Sequence, residues 1–106
     1  MQNAHWPTAD GKKHEFEVYS PNVSWNSVGG IYIFTYLQAN NYWKPLYIGQ
    51  TEDFSQRIPN HERWAEAVRR GATHIHVKVV SHASTRDVLE LMLIKYCQPP
   101  MNDKLR

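Results

Sequence analysis

The sequence predicts an α+β domain, a small antiparallel sheet of three strands with room for a fourth, flanked by helices. Three observations predict it. Two apolar, β-rich runs, residues 31–37 and 42–48, flank the polar stretch Gln38-Ala39-Asn40-Asn41, the pattern of an antiparallel hairpin. A third run, 74–80, alternates polar residues with Ile75, Val77 and Val79. Two segments with helical patterning, 61–70 and 85–96, are each followed by a breaker, Gly71 and Pro99-Pro100.

In chain order, residues 1–13 are polar, with Pro7, Gly11 and Lys12-Lys13, and predict a loose arm. Residues 14–19 alternate polar and apolar, which suits a short edge strand within an N-terminal arm spanning 1–28. Pro21, Asn22, Ser24, Asn26, Ser27 and Gly29 make 20–29 a loop. In the hairpin, Tyr32, Phe34 and Tyr36 share a face. With a four-residue loop, Tyr36 lies opposite Trp43 and Tyr32 opposite Tyr47, the two phenols about 5 Å apart at Cβ. Gly30 and Gly49 leave backbone open, and a strand glycine often marks the close approach of a ligand. Thr51 or Glu52 is placed to open a helix whose first turn is acidic. Pro59 ends that turn, and Asn60 caps a helix over 61–70 with Trp64, Ala65, Ala67 and Val68 as its apolar stripe. Ser84-Thr85-Arg86-Asp87 has capping-box spacing, with Asp in the Glu position. Residues 101–106 read as a tail.

At 106 residues the chain is one domain by size and can bury a core without disulfides. Cys97 is the single cysteine, which suits a reducing compartment and a cytoplasmic location. No apolar stretch approaches the roughly 20 residues of a membrane span, and the first six residues lack a signal pattern. The net charge of +2 argues only weakly for nucleic acid, but Arg57, Arg63, Arg69 and Arg70 form a local basic cluster.

Glu90 is the only charge in residues 88–94, a segment apolar all round and so expected to be buried. A carboxylate buried with it needs a partner or a metal; an ion pair with Arg86, one turn earlier, is the plainer alternative. Arg57 and His61 are four apart and share a face if a helix continues through Pro59. His74, His76 and His82 suggest zinc, but no cysteine or carboxylate spacing completes a site. Tyr36, Trp43 and Trp64 are suited either to stacking bases or to ordinary packing.

Together, Gly30-Ile31-Tyr32, Tyr47-Ile48-Gly49, Gln50-Thr51, the Arg57-x-x-x-His61 spacing, Glu90 in its apolar helix and Asn102 after a Pro-Pro pair resemble the GIY-YIG endonuclease family. The resemblance covers residues 29–103, so 29–106 would be a GIY-YIG-like nuclease domain. It implies hydrolysis of DNA phosphodiester bonds with one divalent ion, Mg²⁺ or Mn²⁺. Carried over, Glu90 is the metal ligand and Arg57 neutralises the scissile phosphate. Tyr32 activates the attacking water, His61 takes the proton, Tyr47 positions water or phosphate, and Asn102 ties the tail to the site. Arg57, Arg63, Arg69 and Arg70 would contact DNA. Low sequence specificity is expected, since no spare element reads base edges; a homodimer or partner chain would have to supply it. The alternative is a module on the same fold that binds nucleic acid or protein without cutting.

Overall fold

A computed structural model describes residues 2–102 of the chain. Five strands and three helices run β1 (Asn3–Pro7), β2 (Lys13–Tyr19), β3 (Gly30–Leu37), β4 (Trp43–Thr51), α1 (Phe54–Arg57), α2 (Trp64–Arg69), β5 (His74–Val79) and α3 (Ala83–Cys97). The strands form one antiparallel sheet ordered β1-β2-β5-β3-β4.

The sheet therefore has five strands rather than three or four, and the expected loose arm supplies the extra one. Ala4 and Trp6 point inward while Asn3 and His5 stay exposed, a period of two carried by only two apolar residues. The Trp6 indole N–H donates to His76 Nδ1 at 3.0 Å, an anchor seventy residues away that local patterning does not reveal. Residues 8–12 are the turn between β1 and β2, with Gly11 at φ 86°. β2 is not an edge strand, because it pairs with β1 on one side and β5 on the other; β1 and β4 are the edges.

The β3–β4 hairpin forms with a shifted register. Its turn uses five residues, 38–42, with Asn41 in the left-handed region at φ 69°. A bulge then lets Phe34 pair with Tyr47 while Thr35 pairs with Pro45. Each irregularity moves the pairing by one residue. Tyr32 therefore lies opposite Gly49, not Tyr47, and Tyr36 lies opposite Lys44, not Trp43. Two one-residue shifts restore parity, so Tyr32 and Tyr47 remain on one face as diagonal neighbours.

Helices cover both faces. One face buries Tyr32, Phe34, Ile75 and Val77 under Phe54, Ile58 and Ala67; the other buries Ile31, Ile33, Ile48 and Phe16 against Leu89, Leu93 and Ile94 of α3. Asp53, not Thr51 or Glu52, caps α1, its Oδ1 accepting the Ser55 N–H at 2.9 Å. α2 begins at Trp64, not His61, and Asn60 does not cap it. After Pro59 the chain stays irregular, which lets the His61 ring enter the core. Gly71 stops α2 at φ 106°, as expected. α3 starts at Ala83 with His82 as an unbonded N-cap, so the predicted capping box is not formed. Nor is α3 buried all round: Val88 and Leu91 are exposed.

Residues 101 and 102 are not loose tail. The Met101 N–H donates to the Leu46 carbonyl at 3.0 Å, and both side chains are buried. Residues 103–106 of the expected tail lie outside the described residues. Among the described residues no helix is long and apolar enough to cross a membrane.

Candidate active site

The site is built where β4, an edge strand, meets helices from both faces of the sheet. Tyr32 projects from β3 over Gly49, and its ring is 1 % exposed. A Cβ on Gly49 would lie 2.5 Å from the Tyr32 Oη and Cζ. The glycine of the second tripeptide is therefore the floor under the phenol ring. On Gly30 a Cβ would collide with the Lys78 carbonyl. The two glycines admit this protein's own ring and backbone rather than the ligand expected from sequence.

Tyr32 Oη lies 2.8 Å from His61 Nε2. The Arg63 N–H donates to His61 Nδ1 at 3.1 Å. Burial, then the nearby Arg57 charge, pushes the His61 pKa down to about 4, so the ring is neutral at pH 7. A neutral imidazole whose Nδ1 accepts must carry its proton on Nε2, so the network assigns His61 as donor to the Tyr32 oxygen. The Tyr47 ring lies 5.3 Å from His61 and 6.3 Å from Tyr32 between centroids. Phe34 backs the group, 5.0 Å from His61.

Burial raises the Tyr32 pKa well above the ordinary phenol range; Tyr47 adds to this and Arg57 opposes it. Burial also raises the pKa of Tyr47, against Arg57 and Arg63. Both are protonated at rest. Arg57 and His61 do not share a continuous helix, because Ile58 caps α1 and the His61 N–H turns back to the Ile58 carbonyl at 3.3 Å. They flank Tyr32 all the same. Arg57 donates through Nη1 and Nη2 to the two Glu62 carboxylate oxygens, at 2.7 and 3.0 Å.

Glu90 comes from α3 on the opposite face. Its Oε1 accepts from Gln50 Nε2 at 3.1 Å, and the same amide nitrogen donates to Asp87 Oδ1 at 2.6 Å. Burial and then the Asp87 charge raise the Glu90 pKa, with the Gln50 hydrogen bond opposing. The pairing with Arg86 does not occur: that guanidinium instead caps the Val80 and Ser81 carbonyls at 3.0 and 2.9 Å. Glu90 is near enough to β4 for its charge to raise both Tyr32 and Tyr47. Asp87 and Glu90 are both engaged by the Gln50 amide, and among the described residues no group of three or more His, Cys, Asp or Glu is placed to hold a metal. A hard divalent ion at Glu90 would therefore draw most of its shell from water and substrate oxygens. Asn102 clips the outer edge of β4, accepting from the Ile48 N–H at 2.8 Å and donating to its carbonyl at 2.9 Å.

The wider basic cluster is partly neutralised. Glu66 takes Arg63 at 3.0 Å and Arg70 at 3.1 Å, while Arg69 is exposed. The zinc reading gains no support: among the described residues no group of three or more His, Cys, Asp or Glu is placed to hold a metal. His76 is instead core, accepting from Trp6 with the Trp43 ring 4.6 Å away. Trp64 packs edge-on against Phe34 at 4.9 Å. Sequence reasoning missed Glu62 and Asp87; each stands beside a named candidate, but only folding shows which contact it makes.

No protein-family model matches this chain, and no curated protein matches it. Two solved structures do. Both are point variants of the GIY-YIG N-terminal endonuclease domain of UvrC from Thermotoga maritima, bound to its catalytic divalent cation. Each is 26% identical over 72% of this chain and 83% of that domain, with TM-scores of 0.58 and 0.57.

Proposed function

We propose that this chain, which its fold and motifs assign to the GIY-YIG endonuclease family, is a metal-dependent DNA endonuclease of low intrinsic sequence specificity. The observation that carries the reading is the Tyr32–His61 hydrogen bond, with Tyr47 and Arg57 beside it and Glu90 across the edge strand.

In this reading Tyr32 first loses its own proton to solvent, and the phenolate so formed is the base that takes a proton from the attacking water. Burial alone makes its phenol a poor base at pH 7. Three features offset this: the Arg57 charge, the His61 Nε2–H aimed at the phenol oxygen, and a bound cation. His61 thus stabilises the phenolate by donation. In this proposal His61 donates to the phenol oxygen, whereas the resemblance implied that it takes the proton; the Arg63 N–H on Nδ1 supports the donating tautomer. Arg57 would grip the scissile phosphate through its planar fork, and Tyr47 would orient water or phosphate. Glu90 would hold a single Mg²⁺ or Mn²⁺, with Asp87 adding negative potential; the ion supplies positive charge for the phosphate and leaving group. Arg63, Arg69 and Arg70 would contact backbone phosphates, giving salt-sensitive affinity of roughly 10⁻⁴ to 10⁻⁶ M. A cytoplasmic setting and a homodimer or partner chain that reads sequence belong to the same proposal.

Purified protein with supercoiled plasmid, with and without Mg²⁺, tests it. Metal-dependent nicking is expected. DNA binding without nicking under any divalent ion would leave a binding module instead.

A further inference from the structure

We infer that Glu62 is an internal anion that occupies the phosphate fork of Arg57 until substrate displaces it. The inference rests on the proposed role of Arg57 toward phosphate and adds a residue that sets how readily substrate enters.

Arg57 presents both terminal nitrogens to Glu62, at 2.7 and 3.0 Å, the two-pronged geometry in which a guanidinium also grips two phosphate oxygens. A phosphate taken by that end-on fork and the Glu62 carboxylate therefore compete for the same donors. Glu62 is suited to leave. Its side chain is 64 % exposed and that of Arg57 35 %, so the pair sits at the surface, where an ion pair is weak and screened. The other nearby groups do not replace it: the Glu66 carboxylate is held by Arg63 and Arg70, and His61 is neutral. Arg57 is thus held beside Tyr32 at rest without a free guanidinium. Water-exposed Glu62 can swing into solvent as a phosphodiester arrives, so the site exchanges one anion for another and its charge changes little.

A positioning role for Glu62 gives the opposite expectation. If the carboxylate is needed to aim Arg57, its removal weakens phosphate binding and slows the reaction. If it is a competitor, its removal tightens binding.

The test uses the full chain and two probes. Inorganic phosphate is titrated against the Arg57 guanidinium signals in ¹⁵N NMR. A fluorescent DNA duplex is titrated by anisotropy without divalent ions. Glu62→Gln is expected to tighten both by about two- to fivefold, the equilibrium equivalent of one exposed ion pair. In an Arg57→Gln background the same substitution should bring no such gain in DNA affinity. A gain that persists without Arg57 would mean simple removal of a negative charge near DNA and would overturn the inference. So would weaker phosphate binding in Glu62→Gln. The phosphate titration does not depend on cutting. Competition for Arg57 in a chain that never nicks DNA would keep the latch and sink the nuclease reading; nicking without competition would do the reverse.

Discussion

At the residue scale the site depends on where protons and charges sit. Glu90→Gln keeps the shape of the side chain but removes the charge that, in the proposed mechanism, would hold a hard cation. Cutting is expected to fall by several orders of magnitude, since metal stabilisation is worth several kcal/mol and each 1.36 kcal/mol is tenfold in rate. Folding and DNA binding should hold, because a neutral amide is cheaper to half-bury than a carboxylate whose pKa burial already raises. Nicking by this variant at the parent rate, read on the same plasmid, would remove Glu90 from the mechanism. The pH profile tests the other end of the site. With the His61 pKa near 4, the imidazole stays neutral through the neutral range, and the phenol is the group left to ionise. The logarithm of kcat/KM should rise with pH at unit slope from 6 to 9, with no break near 6.5. A break there would show an imidazole that titrates as it does in water, contrary to its buried setting.

At the element scale, β4 supplies the floor, the edge and one wall of the site. Gly49→Ala places a methyl 2.5 Å from the Tyr32 ring, and a ring only 1 % exposed has nowhere to move. Overpacking of this kind costs about 1–3 kcal/mol, so a lowered urea midpoint and lost cutting should appear together. Wild-type stability and rate in Gly49→Ala would contradict the packing. Asn102 acts on the outer edge of the same strand, closing the Ile48 N–H and carbonyl as a neighbouring strand would. Asn102→Ala removes both bonds from buried backbone. A loss of about 1–3 kcal/mol is expected, with faster hydrogen exchange at the Ile48 amide than at Ile33, its partner across the hairpin. Unchanged exchange at Ile48 would mean that the edge is closed by something else.

The elements show how far local patterning reaches. The alternation of Tyr32, Phe34 and Tyr36 named the correct face, because side chains alternate whatever strand lies alongside. The partner of Tyr32 was misread by two residues, because register depends on how the 38–42 turn closes and on the bulge opposite Phe34 and Thr35. The helix over 61–70 was expected three residues early at its start. Its pattern is helical from the outset, but the His61 ring is more stable against Phe34 and Tyr32 than on an exposed first turn.

At the scale of the whole molecule, two histidines are buried neutral, and this sets the response to acid. The pKa of His61 is lowered to about 4 and that of His76 to about 3, both from 6.5 and mainly by burial. Between those values and 6.5 the unfolded chain binds more protons than the folded one. Stability is therefore full above pH 6.5 and falls as pH drops toward 4. At about 1.4 kcal/mol per unit, each histidine withdraws about 3 kcal/mol by pH 4, a large share of a typical total of 5–15. The urea midpoint should decline steadily from pH 6.5 to 4; a flat midpoint over that range would show that both rings are already charged or already wet in the folded state.

The sequence by itself determined the α+β class, the hairpin, the face shared by Tyr32 and Tyr47, and the unusual placing of Glu90 in an apolar segment. Each follows from periodicity, breakers and residue chemistry within a short window. Tertiary structure decided the five-strand order, with β2 inside the sheet rather than at its edge, because strand pairing is settled by long-range contacts such as Trp6 to His76. It also decided who holds whom: Gln50 between Asp87 and Glu90, Arg86 on backbone carbonyls, Glu62 in the Arg57 fork. A side chain's partner is fixed by which groups burial brings within about 3 Å, and among competing charges one residue's spacing does not choose.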